Sequence, residues 1–177
     1  NSSDTPPASV QIDWTFSDGN SGAQGSGGVL TATGATQVNI TAVNDAPVNT
    51  VPGGLQTTPL NTALVFSSGS GRAIQVADVD AGTLQVTLSA TNGTLTLSGV
   101  VGLGFSAGDG SADGTMTFTG TAAAINAALE GLSFAPTTAF QGSASVVLQT
   151  SDLGGTGSGG TLTDSDTVQI QVGAARF

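Results

Sequence analysis

The chain of 177 residues has no cysteine, no histidine and no tyrosine, and its only basic residues are Arg72 and Arg176. Each absence removes a class of function. Without cysteine there is no disulfide framework and no thiolate site, which suits a bacterial secreted or surface protein better than an animal extracellular one. Without histidine, cysteine or lysine there is no triad, dyad or Schiff-base chemistry. The one glutamate, Glu130, falls on an expected helix as a solvated side chain. A glycosidase needs two carboxyl groups across a cleft and aromatic platforms for sugar, and aromatics make up 5% of this chain. The chain therefore reads as a non-enzyme. No apolar run approaches the roughly eighteen residues of a membrane span, and no basic segment of a signal peptide opens the chain, so direct membrane insertion is not expected.

What is present is acid, glycine and alternation. Twelve acidic residues against two basic ones give a net charge of −10 and a pI near 4.1. Such a surface repels nucleic acid and anionic lipid, and it suits divalent cations. The carboxylates are spread singly or at alternate positions among Gly, Ser and Asn, which is the spacing of loop ligands and not of an acidic tail. Charged residues are only 8% and hydrophobic ones 38%, so the chain has the means to fold.

The chain also repeats itself. Ser9-Val10-Gln11-Ile12, Ser17-Asp18-Gly19, Gly25-Ser26-Gly27-Gly28-Val29-Leu30-Thr31 and Gln37-Val38-Asn39-Ile40 recur in order near the C-terminus. Their counterparts are Ser145-Val146-Val147-Leu148, Ser151-Asp152-Leu153, Gly157-Ser158-Gly159-Gly160-Thr161-Leu162-Thr163 and Gln169-Ile170-Gln171-Val172. Asp18 and Asp152 are 134 positions apart, a period that fits tandem β-sandwich domains and exceeds those of solenoids and propellers. The implied division is residues 1–43 as the C-terminal part of one repeat, 44–54 as a junction linker marked by Pro47, Pro52 and Gly53-Gly54, and 55–177 as a nearly complete repeat.

Alternating apolar residues predict strands at 10–16, 29–33 and 37–43 in the first part. In the second they predict strands at 63–66, 73–76, 84–88, 95–97, 100–105, 116–118, 134, 145–150, 161–163 and 167–172. Asn92-Gly93 between two alternating runs predicts a hairpin. One helix is expected after Thr121, with Ile125, Leu129 and Leu132 on one face and Gly131 at its end. The fold class is all-β, a Greek-key sandwich of the cadherin or immunoglobulin kind with one short crossover helix, preceded by a partial copy of the same module.

The segment Val43-Asn44-Asp45-Ala46-Pro47, the loop Val76-Ala77-Asp78-Val79-Asp80-Ala81-Gly82, the run Ala90-Thr91-Asn92-Gly93-Thr94-Leu95-Thr96-Leu97, and Met116-Thr117-Phe118 leading into Ala124-Ile125-Asn126-Ala127-Ala128-Leu129 together resemble the bacterial cadherin-like extender repeats of large RTX and VCBS-type secreted adhesins. The resemblance covers residues 43–172, with 10–42 as the end of a preceding copy. It implies a calcium-stiffened rod segment, outside the cell, that holds an adhesive domain away from the surface. Its partners are then neighbouring repeats or identical subunits head to tail, and a glycan or surface ligand is reached only through other domains.

The residues can be asked the same question directly. Calcium takes six to eight oxygen ligands in irregular geometry, so loops from separate segments can share an ion. Asp78 and Asp80, joined by Asn44 and Asp45 and by Asp18 from the first part, are the candidate ligands. A plain turn at Asn-Asp-Ala-Pro, with Asp78 and Asp80 capping loop backbone, is the other reading of these residues. A second group comprises Asp109 and Asp113, and Asp152, Asp164 and Asp166, the latter three as half of a junction with a following module. Asp109 to Gly114 begins like an EF-hand loop but has Gly120 where a bidentate glutamate is required, so that motif is rejected. The glycine stretch at 154–160 lacks the aspartate of the RTX nonapeptide and reads as a hairpin loop.

The first part supplies too few strands to bury Val10, Ile12, Trp14, Phe16, Val38 and Ile40. It is expected to stay disordered, to fold onto the second part, or to be completed by another chain, and completion by another chain is the favoured expectation. Trp14 is expected in a core. A self-assembling extracellular fibre or matrix subunit using strand complementation and a carbohydrate-binding module are the two alternative functions.

Overall fold

The computed structural model describes residues 6–20 and 27–173. Residues 21–26 of the expected glycine-serine loop, the first residues of the lead-in and Arg176 lie outside them. The chain divides into two compact units, Asn1–Ala42 and Val43–Phe177.

The first unit is an antiparallel pair, β1 (Ser9–Ser17) and β2 (Thr31–Asn39), running in unbroken register from Ser9 opposite Asn39 to Ser17 opposite Thr31. The two strands expected at 29–33 and 37–43 are thus one strand, continuous through Gly34. Glycine weakens a strand by leaving a gap in its side-chain row. Here Trp14, directly opposite, lays its ring where a Cβ of Gly34 would stand, so the gap is filled. Phe16 meets Trp14 edge to face at 5.0 Å. Neither ring is in a core, contrary to the expectation for Trp14.

The second unit contains β3 (Val48–Thr50), β4 (Gln56–Pro59), β5 (Leu64–Phe66), a 3-10 turn at Ser68–Ser70, β6 (Gln75–Ala77), β7 (Leu84–Thr91), β8 (Gly93–Thr96), β9 (Gly104–Ala107), β10 (Thr115–Gly120), α1 (Ala122–Leu129), β11 (Leu132–Pro136), β12 (Gly142–Ser151) and β13 (Thr163–Gly173). A six-stranded sheet in the order β4-β13-β12-β7-β10-β9 faces a three-stranded sheet in the order β5-β11-β8, with β3 and β6 as a separate pair. Successive strands cross repeatedly between the two layers, as in a Greek-key sandwich. The stretch expected as a linker at 44–54 contributes β3, and the separate runs at 161–163 and 167–172 are one strand.

The core follows from period-two burial. In β12 the buried positions are Ala144, Val146, Leu148 and Thr150, alternating with Ser, Val and Gln that face outward. They meet Leu84, Val86 and Leu88 of β7 and, from the facing layer, Phe66, Leu95, Leu132 and Phe134, all fully buried. Each such side chain contributes roughly 2 kcal/mol by leaving water.

The helix starts where Thr121 accepts a hydrogen bond from Ala124 N, and ends before Gly131 at φ 96°. Leu132, expected on the helix, instead opens β11, because the left-handed glycine has already turned the chain. Asn126 fixes the helix to β6, donating to Val76 O at 2.9 Å and accepting from Val76 N at 2.8 Å.

One expectation fails informatively. Asn92 does take a left-handed φ of 56°, but β7 and β8 do not pair: β7 belongs to the six-stranded sheet and β8 pairs with β11 in the other. A Cβ on Gly93 would run into the Phe134 ring and stand 2.6 Å from Ala135 O. The Asn-Gly pair therefore carries the chain from one layer to the other across a close contact, and makes no hairpin.

Candidate functional site

The segment entering the second unit is held by three backbone or amide bonds. Val43 bridges Ser158, and Asn44 N donates to Ser158 O at 2.9 Å. Asn44 Nδ2 donates to Asp152 Oδ2 at 2.5 Å and to Gly160 O at 2.8 Å. Both amide hydrogens of a buried side chain are thus used, which turns its Oδ1 away from them, and that oxygen is buried with no donor.

The loop after β6 behaves in the same way. Asp78 Oδ1 accepts from Asp80 N at 2.9 Å and Ala81 N at 2.8 Å, the Asx-turn geometry expected of Asp-x-Asp. Its Oδ2 is buried without a partner. Asp80 Oδ2 accepts from Asp45 N at 3.2 Å, and the main-chain oxygen of Asp80 accepts from the Thr156 hydroxyl at 2.9 Å, so the same glycine-rich loop that holds Asn44 also holds Asp80. Asp80 Oδ1 is the third buried oxygen without a donor. The carboxyl of Asp80 is raised from its ordinary value: burial raises it most, the Asp45 amide pulls it down, and hydrogen bonding to the Asp78 carboxyl together with the charges of Asp78 and Asp45 raises it further.

Buried polar atoms without partners are rare. Here all the buried side-chain atoms of that kind, among the described residues, are acceptors on Asn44, Asp78 and Asp80. Oxygen atoms with spare lone pairs and no donor are the ligand type calcium uses. The residues therefore fit such an ion chemically. No set of three or more Asp, Glu, His or Cys side chains stands close enough to hold a metal by itself among the described residues. A cation at this place would draw on the Asn44 amide oxygen, main-chain carbonyls and water as well as the two carboxylates.

The other candidates are placed differently. Asp45 is exposed, and its main chain, more than its carboxylate, engages the loop. Asp18 lies in the first unit, where its Oδ1 accepts from Asn20 N at 3.0 Å and Leu30 N at 3.1 Å. Asp152 is buried and fully engaged: Oδ1 accepts from Gly154 N at 2.8 Å and Leu162 N at 2.9 Å, while Oδ2 takes the Asn44 amide. Burial pushes its carboxyl up, but these donors outweigh that and hold it below the usual range. Asp164 Oδ2 accepts from Asn49 N at 2.7 Å. Asp152 and Asp164 are thus spent inside their own unit and tie its first segment to its last hairpin; Asp166 stands opposite Leu148 on β13. Asp113 Oδ2 caps Asp109 N and Gly110 N, and Asp109 Oδ1 caps Ser111 N, so this loop is closed on itself.

Sequence reasoning did not find Thr156, Gly160 or Asn49 as partners of these groups. A shallow depression on the outer face, lined by Gln85, Thr87, Gln149, Ser151 and Thr163, offers only amides and hydroxyls, and no acid or base. Trp14 and Phe16 meet at 62°, which is no flat platform for a sugar ring. No helix among the described residues is long and apolar enough to cross a membrane.

No protein-family model and no curated protein matches the chain. Among solved structures, the chain is similar to a cohesin module from a Clostridium perfringens family 33 glycoside hydrolase, with 10% identity and a TM-score of 0.37 over 73% of this chain and 98% of that one.

Proposed function

We propose that the second unit is a calcium-binding, non-catalytic β-sandwich module of a tandem-repeat extracellular protein, and that it serves as a structural spacer. The observation that carries this reading is the set of donorless buried oxygens on Asn44, Asp78 and Asp80. Asn44 and the Asp78-x-Asp80 loop would hold the ion. Its charge would relieve the repulsion between carboxylates that no lysine or arginine among the described residues is seen to pair with. The gain is mechanical order: the entering segment, the loop after β6 and the glycine-rich loop at 154–160 become one fastened end of the sandwich.

The test is thermal unfolding of the whole chain with calcium, with magnesium and with excess chelator. A ligand that binds only the folded state at a hundred times its Kd adds about 2.7 kcal/mol. For a unit of this size that is a rise of roughly 8 °C in Tm. Asp78→Ala should remove most of that rise and Asp109→Ala little of it. A melt indifferent to chelator sinks the reading.

A further inference from the structure

The first unit is a copy of the last hairpin of the second. Asp18 N donates to Leu30 O and Leu30 N to Asp18 Oδ1; Asp152 N donates to Leu162 O and Leu162 N to Asp152 Oδ1. Asn20 N and Gly154 N complete the same cap. Ser17 pairs with Thr31 as Ser151 pairs with Thr163, and Val10 pairs with Val38 as Ala144 pairs with Ile170. Strand for strand the offset is 134 positions for β1 and 132 for β2, the loop being longer by two residues. Val10 to Phe16 therefore align with Ala144 to Thr150, two residues away from the match that the Ser-Val pairs suggest.

The surroundings of the two copies differ. In the second unit, Leu148 and Thr150 are 1% and 0% exposed, and the hairpin is flanked by β7 on one side and β4 on the other. Their counterparts Trp14 and Phe16 are 40% and 68% exposed, and β1 and β2 form a two-stranded sheet with both outer edges unpaired in it. A hairpin with an apolar face and two free edges is marginal alone.

We infer that the β1–β2 hairpin is the closing hairpin of another module, and that its apolar face takes a module body, the part of the fold built in the second unit by residues 43–141, when that body lacks a closing hairpin of its own. The occupant follows from the second unit itself, where a body of that kind covers the same face in the same register. An intact second unit does not serve, because β12 and β13 already fill the seat. The aromatic end sets the specificity. Phe16 stands where Thr150 donates its hydroxyl to Asn49 Oδ1 in the second unit, so the matching body is apolar at the position of that side chain.

This inference rests on the tandem-module reading and not on its cation. Trp14 is the only tryptophan, so its emission reports this face alone. In the full chain the two hairpins, residues 8–41 and 142–173, exchange places, with Asn49→Val. The expected result is a blue shift of Trp14 with a severalfold fall in acrylamide quenching relative to the native order, lost in Phe16→Asp, and a cooperative melt followed by that emission. Trp14 left accessible in the exchanged chain overturns the inference, as does an equal shift on concentrating the intact chain alone, which would assign the face to a complete second copy. A chain that binds calcium without any Trp14 shift loses this inference only, and one that shifts Trp14 but ignores calcium loses only the cation.

Discussion

Asp80 and Asp152 are two buried or half-buried aspartates with opposite titrations. Asp80 has its folded pKa raised above 3.8, so without a cation its contribution to stability is full below 3.8 and is lost as pH rises through the raised value. Asp152 has its folded pKa lowered, so its contribution is full above 3.8 and is lost as pH falls through the lowered value. In chelator at neutral pH, Asp80→Asn should therefore raise Tm; in excess calcium the same change should lower it. Asp152→Asn should lower Tm in both conditions. Melting curves across pH 3 to 8 decide this, and an Asp80→Asn variant that ignores the chelator contradicts it. The Asp-x-Asp spacing was legible as a turn in which one carboxylate caps the following backbone, because that bond is made within three residues. The role of Asp152 was not, since a hydrogen bond to a residue 108 positions away leaves no local pattern.

At the scale of elements, alternation located β1, β7, β10 and β12, and the capping threonine and terminal glycine located α1. Short strands such as β3 and β4 were missed, because three or four residues cannot show a period and Pro52 with Gly53-Gly54 reads as a break. The Asn92-Gly93 turn shows a different limit: local chemistry specifies a left-handed residue, but which layer the next strand joins is decided by Phe134. Gly93→Ala should cost about 2 kcal/mol by forcing that ring and the Ala135 carbonyl aside. Gly99→Ala, with open space around it, should cost nothing measurable in the same urea titration. Equal effects at the two positions would show that Gly93 is only a flexible turn residue.

For the whole molecule, the likeness of the two hairpins was visible as a repeat of short motifs, whereas their true alignment required strand pairing. The two units should differ in protection. Amides of β7, β12 and β13 should exchange only through global unfolding, and those of β1 and β2 orders of magnitude faster, because a lone hairpin opens easily. Exchange followed by mass spectrometry on peptides from residues 9–39 and 142–173 tests this, and equal rates would mean that the first unit is stabilised as a full module is. The parallel pairing of β4 with β13 has a further consequence. The chain enters the second unit beside the start of β13, at Asn44 and Gly160, and leaves at its far end, Gly173, so entry and exit are separated by the length of that strand, about 35 Å at the usual rise per residue. A pull applied between these two ends runs along the strands, and the β4–β13 bonds are loaded together in shear and not one at a time.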